Sequence, residues 1–543
     1  MPGGEIQLVA YGEENMFLNN DPQITFFKIV YRRYTNFSIE TVKSTFTYQG
    51  TFGKKISCEI SKLGDLLHKM WLVMELPNIP ILYDYSNNVD TKLKFAWARK
   101  IAYAIIDYVE IEIAGQIIDR QWGEWLNILN ELNVTLYNSS LDQYIGNIPE
   151  LYTLKNTSDG IPSYTLHVPM CFWFCNNSGL ALPLLCLEYN TIRFNIQLND
   201  FDKCGIFSPT NYIKLTKYYG NGIVGEPLVQ YSQLGIVRAE FDSLDVGDVD
   251  KTTMEILNYN LYYKKISDNT FITTRDDYYK NYFENNLSDI INQNFNKVNY
   301  IIYGLKSGSI YVPINSTLND PNSIYIEKNY IYKNIIDISL KNIYLLIDYI
   351  YIDKEERVKF YNDKHEYLIE QVFFSGIKYL NNLNNKNIIE IINPCKWLIF
   401  MGQISYLTNP NVNDNFNYKT SYIRNNNEIE GTSVIKSAYL SFNGIPVTDM
   451  MDMNFYNYLQ PFFYFPMAKV PDGYGISTFC LNPINIQPSG SCNMSCFNTF
   501  EINTKFNTID IDYNNYIFKT YGITYNILRI VHGVSGTIFN SNF

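Results

Sequence analysis

Alternation is the clearest order in this chain. In DYVEIEIAGQ (107–116), Val109, Ile111 and Ile113 fall on one side and Tyr108, Glu110 and Glu112 on the other, before a turn at Gly115. TIRFNIQLND (191–200) repeats the pattern, with Ile192, Phe194, Ile196 and Leu198 set against Thr191, Arg193, Asn195 and Gln197. A period of two with one apolar side predicts strands that bury one face and wet the other. Similar short runs lie at 437–443, 474–481, 497–503 and 523–531, separated by Gly, Pro and Asn turns. Helical spacing is sparse. QWGEWLNILNEL places Trp122, Trp125, Leu126, Leu129 and Leu132 near one face, and DKEERVKFYN opens on Asp353 with Glu356 three residues on, an acidic analogue of the capping box. Both read as connectors rather than cores. Many short strands and few helices predict an all-β chain of sandwiches.

The stretch from about 200 to 340 interrupts this order. It is rich in Tyr, Asn, Ile and Lys, as in YYKNYFENNLSDIINQNFNKVNYIIYG, and it reads as a folded insertion with strands of its own, against low-complexity disorder. A chain of 543 residues suggests two to four domains. Its 47 Tyr and 33 Phe suit pleated, half-buried surfaces better than helices.

Charge narrows the partners. Lys and Arg number 43 against 54 Asp and Glu, a net charge of −11, which disfavours general DNA wrapping because phosphate neutralisation drives that affinity. The opening MPGGEIQLVAYGEEN lacks the pattern of a signal peptide, and the best apolar candidate, IAYAIIDYVEIEIAGQII, is broken by Asp107, Glu110 and Glu112. Nine cysteines read as reduced thiols, and the chain is expected to be soluble and intracellular when made.

No motif announces catalysis. The four histidines, His68, His167, His365 and His532, are far apart, and the Cys171/Cys175 and Cys492/Cys496 pairs lack the companions zinc needs. GKK at 53–55 lacks the rest of a phosphate loop, and GVSG at 533–536 has the wrong spacing for a nucleophile elbow. The sequons at Asn133, Asn286 and Asn315 are weak in an Asn-rich chain. The expectation is a non-enzyme with no cofactor and no metal.

The opening segment adds more. GGEIQLVAYGEENMFLNNDPQITFFKIVYRRYTNFSIE (3–40) resembles the amino-terminal signature of the major capsid proteins of nucleocytoplasmic large DNA viruses, the giant-virus and algal-virus double jelly-roll proteins. VPMCFWFCNNSGLALPLLCLEYNTIRFNI (168–196), LLIDYIYIDKEERVKFYNDKHEYLIEQV (345–372), NIQPSGSCNMS (485–495) and YNILRIVHGVSG (525–536) are similar to later landmarks of that family, in order. The chain departs from the pattern at Met494 and Cys496, where an aromatic and a basic residue are usual, and in its looser carboxy-terminal end.

The resemblance implies two consecutive eight-stranded jelly rolls, 24–360 and 365–543, with the insertion at about 200–340 in the first and an inner-facing arm over 1–23. TIRFNIQL and LLIDYIYID should be the last two strands of the first jelly roll, putting the insertion at the outward end. PQITFFK is expected to form the first strand, with Pro22 setting an extended entry. The implied function is a shell protein forming homotrimeric, pseudo-hexameric capsomers in a virion assembled in the host cytoplasm. Its partners would be neighbouring capsomers, minor capsid proteins lining the shell and an inner membrane, without sequence-specific nucleic-acid binding. The alternative is a divergent minor paralogue whose insertion attaches to a host surface or glycan. Candidate inner-face contacts are Gln7, Tyr11, Pro22, Lys28, Tyr31, Arg32 and Arg33, the cations serving acidic partners or lipid, or merely lying over Tyr31 and Tyr34.

Overall fold

The computed structural model describes residues 27–29, 31–79, 94–132, 138–156, 161–208, 211–223, 226–232, 235–246, 259–265, 302–304, 307–313, 338–380, 382–408, 413–419, 423–424, 427–428, 432–465, 470–507, 516–531 and 533–539, with 5, 21, 23 and 25 singly. Gln7, Tyr11, Pro22, His532, the three sequons and, within the insertion, 266–300 and 314–337 lie outside the described residues.

Seven strands open the first sandwich: β1 (Phe37–Thr45), β2 (Lys55–Glu59), β3 (Leu66–Glu75), β4 (Ile106–Ile113), β5 (Gln116–Trp122), β6 (Thr165–Pro169) and β7 (Ile192–Leu198). Helix α1 (Gly123–Leu132) follows β5. The insertion carries β8 (Asn211–Tyr219), β9 (Pro227–Ser232), β10 (Gly235–Val246), β11 (Tyr259–Lys265), β12 (Ile302–Gly304) and β13 (Ile310–Pro313), after which β14 (Asn342–Ile352) completes the sandwich. Helix α2 (Lys354–Asn362) leads into the second set: β15 (His365–Phe374), β16 (Asn384–Ile388), β17 (Pro394–Ile404), β18 (Ile435–Phe442), the split strand β19 (Ile445–Pro446) and β20 (Met451–Asp452), helix α3 (Gln460–Tyr464), β21 (Tyr474–Thr478), β22 (Phe500–Phe506) and β23 (Tyr516–Val531).

Both sandwiches use one plan. The first pairs β1-β14-β3-β6 over β2-β7-β4-β5, and the second pairs β15-β23-β17-β21 over β16-β22-β18-β19, with β20 also on β18. Counted within each set, the sheets are strands one-eight-three-six and two-seven-four-five, the jelly-roll order. The fourth and fifth strands are joined each time by a two-residue turn with both residues left-handed, Ala114 (φ 53) and Gly115 (φ 83), then Asn443 (φ 49) and Gly444 (φ 79). That geometry matches the twist of the strands it connects.

The predicted alternation is observed at β7, where Ile192, Phe194, Ile196 and Leu198 enter the core with Leu72, Met74, Ile347 and Tyr349 from the facing sheet. At β4 the polar side is not wet. Glu110 is buried, held by Lys55, Arg120 (2.9 Å) and Asn195 (3.2 Å). Burial raises its pKa, but the two cations outweigh this and hold it below the usual range.

PQITFFK is not the first described strand. Gln23 and Thr25 are irregular and Phe27 lies in a turn, whereas Phe37–Thr45 runs in unbroken antiparallel register with β14, from Phe37 opposite Ile352 to Thr45 opposite Tyr344. A strand needs a ladder partner, and the free side of β14 is filled by these residues.

The inserted strands close into a barrel in the order β8-β11-β10-β9-β12-β13, filled by Leu215, Leu228, Leu261, Ile302 and Tyr311. Its first and last strands pair with each other, Leu215 opposite Pro313 and Tyr219 opposite Ile310, so its entry and exit adjoin. Because every neighbour within both sheets of the first sandwich is antiparallel, the connections after β1, β3, β5 and β7 emerge at one end. Residues before Phe37 leave from the opposite end, so arm and barrel point away from each other.

Candidate assembly surfaces

Two kinds of surface matter here: the joint between the sandwiches, and the apolar edges left open. The joint begins at β5 and β15. Val372 N donates to Asp119 Oδ1 (3.1 Å), Gln121 Nε2 donates to Asp119 Oδ2 (2.9 Å), and Gln371 Nε2 donates to the Ile118 carbonyl. Above this edge, α1 lies across the outer face of the β15-β23-β17-β21 sheet. Trp125, Ile128 and Leu132 pack there on Val372, Trp397, Ile399, Tyr474 and Tyr521. The second sandwich's sheet is therefore covered twice, by its own core and by α1, and β17 is buried along nearly its whole length. A connecting helix by its spacing, α1 is the clamp between the two halves.

Glu124 anchors it. Tyr418 Oη (2.5 Å) and Lys519 Nζ (2.8 Å) donate to Glu124 Oε1, and Tyr521 Oη donates to Oε2 (2.7 Å). Burial first, and then the Glu124 carboxylate, holds the Tyr418 and Tyr521 phenols well above their ordinary range, so both remain donors. Further along α1, Asn127 accepts from Lys100 Nζ (2.8 Å) and donates to Tyr474 Oη (3.4 Å).

Asp119 carries a pH dependence. Burial pushes its pKa up from 3.8 to about 7, against the hydrogen bonds that favour the anion. Between those values the folded chain holds a proton that the unfolded chain lacks. The stability this provides is full below pH 4 and is lost as pH rises through about 7, a change on the order of 4 kcal/mol. Asp119→Asn should therefore match the parent in urea midpoint at pH 5 and exceed it at pH 8. A difference independent of pH would contradict this account.

The open surfaces lie on the opposite edges. On the first sandwich, β1 has no neighbour beyond β14, and the lead-in to it is exposed: Phe27 by 96%, Tyr31 by 87% and Tyr34 by 85%. Lys28, Arg32 and Arg33 are exposed among them. The structure thus brings four of the seven candidate contacts, Lys28, Tyr31, Arg32 and Arg33, onto one segment. On the second sandwich the edge strand β19/β20 and the chain up to α3 expose Ile445, Val447, Met450, Tyr458, Leu459, Phe462 and Phe463. Alternation and helical spacing both miss this surface. Its signal is the density of Met and aromatics in MMDMNFYNYLQPFFYF (450–465), which exceeds what one side of a short edge can bury.

Histidines and thiols have local partners. His68 Nδ1 lies 2.7 Å from the Phe174 carbonyl and His365 Nε2 2.6 Å from the Phe360 carbonyl. Burial pushes the Cys171 thiol up to about 11. Among the described residues, no group of three His, Cys, Asp or Glu could hold a metal.

Comparison with known proteins agrees with this architecture. Residues 25–223 match the family model "Major capsid protein N-terminus", and residues 356–536 match "Large eukaryotic DNA virus major capsid protein". The chain is 35% identical over 546 residues to "Probable capsid protein 4" of Acanthamoeba polyphaga mimivirus, covering all of both chains. It is 24% identical to the major capsid protein of Phaeocystis pouchetii virus, again over the whole of both. Among solved structures, the Faustovirus major capsid protein superposes with a TM-score of 0.61 at 12% identity, over 96% of this chain and 94% of that one. A quasi-atomic model of the PBCV-1 virus capsid gives 0.58 at 18% identity, over 95% of this chain and all of that one. The chain belongs to the major capsid protein family of the large eukaryotic DNA viruses and is a structural component of the capsid, not an enzyme.

Proposed function

We propose that three copies of the chain close into a ring of six sandwiches, a pseudo-hexameric capsomer, and that such capsomers tile the icosahedral shell. The observation carrying this reading is that one chain builds the same sandwich twice and docks the two edge to edge. A ring of six near-equivalent units then needs only three identical interfaces between copies, and heterologous contacts that close are how such rings form. Contacts between neighbouring capsomers would be weaker and wetter than those within one.

In this reading 1–23 form the inner arm, and 24–360 and 365–543 the two jelly rolls, with 27–36 an exposed lead-in to β1. The insertion at about 200–340 is an outward decoration, supported by the barrel and the arm lying at opposite ends. Gln7, Tyr11, Pro22, Lys28, Tyr31, Arg32 and Arg33 then face minor capsid proteins or the acidic surface of an inner membrane, in particles assembled in the host cytoplasm without sequence-specific nucleic-acid contact. The closed barrel with adjoining ends also favours a second reading, a minor paralogue whose barrel attaches to a host surface.

Light scattering of the purified protein should give three times 63.3 kDa, with pseudo-hexagonal outlines in negative stain. A chain in which a short Gly/Ser linker replaces 209–314 should keep that trimeric state. A monomer at every concentration would sink the capsomer reading, and loss of the trimer on deletion alone would sink the decoration.

A further inference from the structure

The joint inside the chain is a template for the contact between copies, a step that rests on the ring reading above. Within the chain, the fifth-strand edge of the first sandwich meets the first-strand edge of the second, and the helix after that fifth strand covers the outer face of the neighbouring sheet. Two matching halves of the same joint are open. The second sandwich presents its fifth-strand edge, β19/β20, followed by α3. The first presents its first-strand edge, β1, with the outer face of β1-β14-β3-β6.

We propose that these meet between copies, with Phe462 and Phe463 of one chain lying over Trp71, Leu346 and Ile39 of the next, as Trp125 lies over Trp397 and Tyr521 within the chain. The two sheets present equivalent outer rows. In the covered sheet Trp397 of the third strand stands opposite Ile523 of the eighth, which stands opposite Val372 of the first. In the open sheet Trp71 stands opposite Leu346, which stands opposite Lys43. The aromatic and aliphatic positions repeat, but among the described residues no helix lies over the second row as α1 lies over the first.

Exposure and charge favour a second copy as the occupant. Phe462 and Phe463 are 74% and 72% exposed, and Phe37 and Ile39 are 55% and 54% exposed. Such a run of bulky apolar groups amounts to several hundred Å², roughly what each partner contributes to a stable interface. The α3 side carries the exposed acids Asp449 and Asp452, while the β1 side carries the exposed cations Lys28, Arg32, Arg33 and Lys43. Opposite charges at the rim of a heterologous contact set its register and steer the encounter.

The test uses the full chain. Phe462→Glu/Phe463→Glu alters exposed positions, so the far-UV spectrum and urea midpoint should stay at parent values while association weakens at least hundredfold, leaving monomer where the parent is a trimer. Benzoylphenylalanine at position 463 should give covalent dimers on illumination, with the adduct in peptides containing 37–45 or 66–75. A parent trimer whose variant is also trimeric, or adducts elsewhere, would overturn this contact and leave the ring reading standing. A parent that never trimerises would overturn both.

Discussion

Glu124→Ala is expected to lower the stability of the chain by about 3–5 kcal/mol, because it leaves Lys519 as a buried cation with no carboxylate beside it. The side chains of Glu124 and Lys519 are 12% and 10% exposed, so water does little to screen the loss. Two phenols lose their acceptor as well, since Tyr418 and Tyr521 both donate to the same carboxylate. Glu124→Gln tests the charge apart from the shape: it keeps acceptor oxygen for the phenols but not the ion pair, and should fall between parent and Ala. Pairing Glu124→Gln with Lys519→Met removes both charges and should recover most of the loss, as balanced replacement of buried ion pairs often does. Urea unfolding followed by tryptophan fluorescence reads this directly, because Trp125 and Trp397 lie 5.6 Å apart under the same clamp. A parent-like midpoint for Glu124→Ala would show that the network does not hold the joint.

Strands were legible in the sequence, and their second faces were not. The runs at 107–113 and 191–198 give their own register, because one side is apolar and the sandwich buries that side. Polar residues on the other side cannot say whether they meet water or each other. Glu110 looks like a solvated residue by alternation, yet Lys55 and Arg120 reach it from neighbouring strands, a convergence separated in sequence by the whole fold of the sheet. The run CKWLIFMGQI has no alternation because both faces are covered, one by the second core and one by α1. The helical spacing of α1 was readable, but not the sheet it covers, which lies about 250 residues further on.

The same reasoning explains the misplaced first strand and the missed surface. PQITFFK is apolar on both sides, as a buried strand would be, but β1 owes its place to a ladder with β14 over 300 residues away, and its own pattern is nearly all exposed. An exposed edge with mixed residues carries little period. Asp353 shows the limit at a single turn: its side chain accepts from Lys354 N (2.7 Å), so it caps α2 without the reciprocal partner that its spacing to Glu356 suggested. Family resemblance supplied what period could not, the pairing of two jelly rolls and the position of the insertion between the last two strands of the first.

Trp125→Ala should have an effect as large as that of Glu124→Ala, about 3–5 kcal/mol, through a cavity rather than a charge. Trp125 is fully buried, with its ring 5.6 Å from Trp397 and 5.7 Å from Tyr521. The sheet beneath is a rigid, hydrogen-bonded surface and cannot rise to fill the space, so the cost should sit near the upper part of that range. Trp397→Ala removes the other wall of the same contact, and the double variant should cost less than the two single losses together, by about 0.5–3 kcal/mol. Additive losses would mean that the rings stabilise the protein independently. Trp71 supplies the contrast, since it occupies the equivalent outer row but is only partly buried in one chain. Its replacement by Ala should move the urea midpoint of the monomer by about 1 kcal/mol or less and weaken association instead. The two tryptophans face the same kind of neighbour, one supplied by the chain itself and the other by the next copy.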